Sequence, residues 1–204
     1  MGKIDLHIHS NISDGVLTPF EIIDKAVKKN VETISITDHD TIDAYTDELI
    51  KYAKDKNINL ITGVEISTKY IVGVHVLGYN LDINNKELLD TLYKLRNARH
   101  IYLHEVSEIL TKMGYKVNVE KLNKIKSVTK AHISYDIITN KDNEKLLLKT
   151  FGHIPNKGEF IETIMNEGCP VNVKKTSITP KEAVDIIKKS FGKAVLAHPV
   201  AFKY

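Results

Sequence analysis

His7 and His9, in the run Asp5-Leu6-His7-Ile8-His9-Ser10, are two residues apart beside aliphatic neighbours. In an extended strand that spacing puts both imidazoles on one side, where they can face a single cation, while Leu6 and Ile8 face the core. A second run, Ile36-Thr37-Asp38-His39-Asp40-Thr41, sets His39 between two carboxylates at the end of another apolar stretch. Glu65 and His198 end further apolar runs and His75 lies within one. Imidazoles and carboxylates without thiolates suit zinc, manganese or iron rather than copper(I) or an iron–sulfur cluster. The two oxygens of a carboxylate such as Glu65 can bridge two cations, and clustered divalent ions are the usual device for phosphate-ester hydrolysis. A single histidine of this kind is more often a hydrogen-bonded core residue; several at the ends of independent strands favour a site.

The elements that must position these groups alternate at first. Lys3–His9 reads as a strand, and Thr18-Pro19 opens a helix to about Lys29 with Phe20, Ile23, Ala26 and Val27 on one face. Thr33–Thr37 is the next strand. A helix from Asp43 to about Lys56 follows, with Leu49, Ile50, Tyr52 and Ala53 inward, and then a strand over Asn59–Ile66 that runs into Ile71–Tyr79. That order predicts parallel strands wrapped by helices, with the polar residues gathered where the strands end. From Lys86 to about Met113 the period becomes that of one long helix, closed by Gly114. Val117–Leu122, Lys130–Thr139, Asn143–Phe151 and Lys157–Glu167 read as shorter helices. Strand Pro170–Val173, a helix from Thr179-Pro180 to about Ser190 and strand Ala194–Ala197 then resume the alternation. The organisation expected is an α/β domain over 1–85 and 169–204 with an inserted basic helical subdomain over 86–168.

Composition places the chain among ordinary globular proteins: 204 residues, 42% apolar and 27% charged. No signal peptide and no apolar run of membrane-spanning length is visible, so the expected setting is cytoplasmic, without a membrane partner. The lone Cys169 excludes an internal disulfide and reads as a structural thiol. The net charge of +3 is unevenly spread: from Lys112 to Lys157 ten lysines (112, 116, 121, 124, 126, 130, 141, 145, 149, 157) face four acids, Glu120, Asp136, Asp142 and Glu144. Such an excess attracts anions such as phosphates, or is simply a solvated helical face. Arg96 and Arg99, the only arginines, share the long helix and can reach a phosphate or pair with acids. His100 and His104, beside Glu105, read as a solvated face, and His153 as a loop residue. Asp38 and Asp40 are expected to orient His39 or a bound water rather than to hold metal.

Taken together, Asp5–Ser10 with Asp14-Gly15 and Thr18-Pro19, Ile36–Thr41, Gly63-Val64-Glu65-Ile66-Ser67, His75-Val76-Leu77-Gly78-Tyr79 and Ala197-His198-Pro199 resemble the polymerase-and-histidinol-phosphatase (PHP) superfamily. Five motifs occur in the family's order across nearly the whole chain. The helical insertion and Thr129-Lys130-Ala131-His132-Ile133 are similar to the stand-alone phosphoesterase branch that includes 3′,5′-nucleoside bisphosphate phosphatases and a 5′-to-3′ exoribonuclease acting on short RNAs. The resemblance implies a distorted seven-stranded (β/α) barrel with up to three divalent metals, manganese, zinc or iron, in its mouth. It implies that His7, His9 and Glu65 hold the first metal, that Glu65, His75 and His198 hold the second, and that Asp14 and His39 belong to the third. A water between metals would attack phosphorus in line, without a covalent enzyme intermediate. His132 is assigned to phosphate contact or proton donation.

Two departures from the family pattern stand out. Lys130 replaces the usual arginine two residues before the insertion histidine, and the basic positions after the insertion are Lys174 and Lys175, so point charges replace bidentate clamps. The family also carries a later Asp-x-His pair, which would complete the first and third metals and is absent up to Tyr204. On that reading the barrel is C-terminally truncated: a shortened chain, a natural fragment, or one that borrows ligands from an oligomer covering the open edge. The activity expected is metal-dependent hydrolysis of a phosphate ester on a phosphorylated small molecule, nucleotide or short nucleic acid. Histidinol-phosphate phosphatase is disfavoured by the long basic insertion, and a remnant that binds metal or phosphate without turnover is the reading of another class. Nucleic-acid binding by the lysines alone is weakest, because no aromatic stacking set is visible.

Overall fold

Thr18 and Thr179 each precede a proline and stand three residues before a glutamate, and both head helices closed by a reciprocal capping box. The computed structural model describes residues 2–69, 73–166 and 168–199. Helix α1 (Pro19–Lys28) buries Ile22, Ile23 and Ala26, whereas Phe20 and Val27 are exposed, so the buried stripe lies beside the one expected. Helix α2 (Asp47–Asp55) is capped by Thr46 and buries Leu49 and Ala53; Ile50 points outward.

Strands β1 (Lys3–Ile8), β2 (Val31–Ile36) and β3 (Asn59–Leu60) form a parallel sheet in that order. The strand expected over Asn59–Ile66 is split at Ile61-Thr62. Its second part, β4 (Gly63–Lys69), turns into an antiparallel sheet with β5 (Gly73–Tyr79) and β6 (Lys193–Leu196). The parallel order predicted throughout therefore stops at β3, because β4 and β5 are joined by a connection too short for a crossover helix. Ile71, the start expected for the next strand, and Glu167 lie outside the described residues. The sheets meet where chain past β2 runs beside β4: the Asp40 N–H donates to the Glu65 carbonyl at 3.0 Å and the Glu65 N–H to the Asp38 carbonyl at 3.2 Å. Tyr79 adds a second link, its hydroxyl donating to the Leu6 carbonyl of β1 at 3.0 Å.

The chain divides into one compact unit of 1–96 and 177–204 and a second of 97–176. The first has a core of Ile23, Ile34, Ile36, Leu49, Val64, Ile66, Leu88, Leu92 and Ile187; Ile8 packs against it, while Leu6 is half-buried outside it. Each fully buried aliphatic side chain of this kind contributes about 1.5–3 kcal/mol. Helix α8 (Pro180–Lys189) closes this unit. Helix α3 (Lys86–Lys112) serves both cores in turn: Leu88, Leu92 and Leu95 belong to the first, Leu103, Val106 and Leu110 to the second.

The second unit is helical, with α4 (Val119–Asn123), α5 (Lys130–Thr139), α6 (Glu144–Phe151) and α7 (Lys157–Phe160), which continues into a π turn over Ile161–Met165. Pro170–Val173 forms no strand; Val171 is buried in the second core, with Val173 packed against it. Among the described residues no helix is long and apolar enough to cross a membrane.

Candidate metal centre

Glu65 is the third residue of β4 rather than the end of a strand, and its carboxylate is fully buried. Two groups of imidazoles face its two oxygens. His75 Nδ1, from β5, and His198 Nε2, just past β6, lie 2.9 and 3.0 Å from Oε1. His7 Nε2, His9 Nε2 and His39 Nδ1 lie 3.3, 3.1 and 3.3 Å from Oε2. The antiparallel register sets His75 opposite Ser67, diagonal to Glu65 on the same face, which is how β4 and β5 aim both groups at one point.

Asp14 joins from the loop after β1. Its oxygens lie 3.5 Å from His9 Nδ1 and 3.4 Å from His39 Nε2. That loop folds tightly, with the Gly15 N–H donating to the Ser10 carbonyl at 2.9 Å; a Cβ on Gly15 would stand 2.0 Å from the His9 carbonyl oxygen, so no side chain fits. The donor atoms fall into three overlapping clusters: His7, His9 and Glu65; His9, Asp14 and His39; and His39, Glu65 and His75. His9 and His39 thus each stand in two clusters, where the sequence placed them in one.

This donor set fits divalent cations. The buried Glu65 Oε2, crowded by three imidazole nitrogens, takes part in no directed hydrogen bond, which suits an oxygen and rings arranged around a shared ion. Burial by itself pushes the Glu65 carboxyl up, but the imidazoles of His7, His75 and His9 and the charge of His39 outweigh it and hold it far below the usual carboxylate range. For His9 burial lowers the pKa, and the adjoining Glu65 carboxylate with the charges of Asp14 and Asp38 more than reverses this.

The flanking aspartates fasten backbone. Asp38 accepts from the Ser10 N–H, the Ser10 hydroxyl and the Ser13 hydroxyl at 2.7, 2.5 and 2.5 Å, so it fixes the loop between His9 and Asp14. Asp40 accepts the Ser67 N–H at 2.8 Å, while its own carbonyl receives Arg96 Nη1 at 3.0 Å. Asp40 and His198 both have left-handed backbone, φ 52° and 48°; such non-glycine conformations cost about 1–3 kcal/mol each and persist where neighbours impose them. Ser10, Gly15, Ser67 and Tyr79 stand inside the sequence motifs with no role readable from the sequence, and Ser13 lies beside them as a small polar residue.

The other expected substrate contacts belong to the second unit. Arg99 is buried and donates to the Val128 carbonyl at 3.1 Å. Lys130 Nζ donates to the Met165 carbonyl at 2.8 Å and to Asn166 Oδ1 at 3.2 Å. His132 Nδ1 accepts the Thr129 N–H at 3.0 Å, which places the proton of the neutral ring on Nε2. Lys174 is exposed and Lys175 half-buried in irregular chain.

Comparison with known proteins agrees with this geometry. The PHP domain profile matches residues 5–192. A 5′-3′ exoribonuclease of Haemophilus influenzae is 31% identical over 203 residues, 98% of this chain and 70% of its own length. A 3′,5′-nucleoside bisphosphate phosphatase of Chromobacterium violaceum is 25% identical over 98% of this chain and 67% of its own. The chain thus spans about two thirds of the length of the curated relatives it matches. A solved structure from Chromobacterium violaceum, an amidohydrolase with bound sulfate and no metal, superposes with a TM-score of 0.83 at 25% identity, covering 99% of this chain and 69% of that one.

Proposed function

The chain belongs to the PHP domain family, and on that premise we propose that it hydrolyses a phosphate ester on a nucleotide or short oligonucleotide with the help of divalent metal ions. The observation that carries the reading is the division of labour at Glu65, whose Oε1 faces His75 and His198 while Oε2 faces His7, His9 and His39. Manganese, zinc or iron ions, up to three, would be held by His7, His9 and Glu65, by Glu65, His75 and His198, and by Asp14 with His39. Such ions supply a water of lowered pKa and a Lewis acid for phosphoryl oxygens.

The chain's own residues hold this arrangement and meet the substrate. Asp38 and Asp40 lock the loops that carry His9, Asp14 and His39, and Arg96 holds the strained Asp40 peptide by its carbonyl. On this reading His132 and the ammonium groups of Lys130, Lys174 and Lys175 are assigned to contact with substrate phosphate. The test is a side-by-side assay of manganese-supplemented protein on a nucleoside 3′,5′-bisphosphate, a 5′-phosphorylated short oligoribonucleotide and histidinol phosphate. Nucleotide substrates should turn over and Glu65→Ala should abolish it; equal turnover in that variant, or preference for histidinol phosphate, overturns the reading.

A further inference from the structure

Five lysines of the second unit stand on segments joined by hydrogen bonds that have no part in the metal centre. The turn after α3 is fastened along α6: the Lys116 N–H donates to Asn143 Oδ1 at 2.7 Å, Asn143 Nδ2 returns to the Lys116 carbonyl at 2.9 Å, and the Tyr115 hydroxyl reaches Thr150 Oγ1 at 3.4 Å. That seam brings the segment of Lys112 and Lys116 alongside that of Lys141, Lys145 and Lys149. All five are exposed, and none forms an ion pair among the described residues. In the first unit, by contrast, Lys181 and Lys189 are paired at 2.7 and 2.5 Å.

The acids over the same stretch are fewer, four against ten lysines from Lys112 to Lys157. Asp136 is buried, with Oδ2 accepting the Asn118 N–H at 2.8 Å and Oδ1 3.9 Å from Lys121 Nζ, and Glu120, Asp142 and Glu144 are exposed. The same unit presents an aromatic ring: Tyr135 of α5 is 54% exposed, and the hydroxyl of its neighbour Ser134 donates to the Lys157 carbonyl, which sets a further lysine's backbone beside α5. Lysines supply salt-dependent attraction to a phosphodiester chain, and an exposed ring offers a face on which a base can stack.

We propose that this face of the second unit binds the backbone of single-stranded RNA without sequence preference, through side chains other than those assigned to the reacting phosphate. The choice of RNA rests on the nucleotide reading above; the binding itself does not depend on turnover. The consequence is affinity that rises with oligonucleotide length and falls steeply with salt.

The experiment uses the full chain with manganese and a 3′-fluorescein-labelled 12-nucleotide RNA carrying phosphorothioate linkages, so that anisotropy reads binding apart from cleavage. The variant Lys112→Gln/Lys145→Gln/Lys149→Gln should bind about tenfold more weakly at low salt. Its dependence of log Kd on log salt should be shallower by about 2, since each single-strand phosphate that a lysine no longer neutralises removes about 0.7 from the slope. Its hydrolysis of a nucleoside 3′,5′-bisphosphate should match the parent's, which also shows that it folds. A matched control, Lys28→Gln/Lys51→Gln/Lys54→Gln in the first unit, should bind as the parent does. RNA binding unchanged in the first variant, or weakened equally in the control, overturns the proposal, as does loss of binding to phosphatidylserine vesicles with RNA binding intact. Absence of bisphosphate hydrolysis in the parent itself would count against the proposed activity while leaving RNA binding to be read.

Discussion

Asp38 takes both hydrogen-bond donors of Ser10, the backbone N–H on Oδ1 at 2.7 Å and the hydroxyl on Oδ2 at 2.5 Å, with both side chains buried. Ser13 adds a third donor to the same carboxylate. Replacing Asp38 by Ala strands three buried donors at about 1–3 kcal/mol each before relaxation, so a net loss near 3 kcal/mol is expected in urea unfolding. The loop it releases carries His9 and Asp14, and metal affinity in a chelator competition should fall by about 10–100-fold, the usual effect of removing an outer partner. A destabilisation under about 1 kcal/mol with unchanged affinity contradicts this role.

Metal uptake should weaken as pH falls. Burial depresses the His9 pKa, but Glu65 and the nearby acids outweigh it, so the metal-free ring keeps its proton to a higher pH than an ordinary histidine. A protonated imidazole cannot donate to a cation, and binding must expel that proton. Above the raised pKa no proton competes; below it affinity drops with each further fall in pH. Glu65, held far below the carboxylate range, stays ionised and adds nothing to this slope. Calorimetric titration with manganese in buffers of different ionisation heat should show proton release increasing from about pH 8 to about pH 6, and a flat profile rules out the competition.

Gly15 tests the tightness of the same loop. Its ideal Cβ would lie 2.0 Å from the His9 carbonyl oxygen and 2.4 Å from its carbon, backbone atoms that cannot rotate away. Gly15→Ala should displace the segment between His9 and Asp14, lowering metal stoichiometry and activity together by at least about tenfold, in line with the sensitivity of reaction to misplacement on the order of 1 Å. Wild-type metal content by elemental analysis would show that the loop yields without cost.

Much of this arrangement is legible in the chain itself, for local reasons. Thr18-Pro19 with Glu21 and Thr179-Pro180 with Glu182 write their capping boxes in four residues, so those helices start where the sequence places them. His7 and His9 at the end of β1 and His198 just past β6 are legible as the stops of apolar runs, whereas Glu65 and His75 lie inside β4 and β5. What local sequence does not carry is partner choice. The switch at Ile61-Thr62, which moves β4 from the parallel sheet into an antiparallel one, depends on which edge β5 offers. Periodicity turns Phe20, Val27 and Ile50 inward, yet the stripe that packs is set by the neighbours, β2 and α2 for α1, and β3 and α1 for α2. Adjacency suggests that Asp38 steers His39; it is bonded instead to Ser10 and Ser13, partners that lie far off along the chain.

Tyr45 holds that sheet switch from below. Its buried hydroxyl accepts the Ile36 N–H at 3.0 Å and turns its proton toward the carbonyls of Ile36 and Ile61 at 2.7 and 3.0 Å. It therefore fixes both the end of β2, which leads to His39, and the point where β3 gives way to β4 and Glu65. Tyr45→Phe keeps the ring's packing and strands the Ile36 N–H, at an expected cost of about 1–3 kcal/mol. Burial pushes the phenol's pKa well up, so it remains a donor at any working pH and the cost should be the same at about pH 6 and about pH 9. Because the change loosens the backbone under two metal-facing side chains, the midpoint of urea unfolding should fall with an unchanged slope, and bound manganese should restore less stability than it does in the parent. If manganese stabilises both proteins equally, Tyr45 supports the fold without supporting the site.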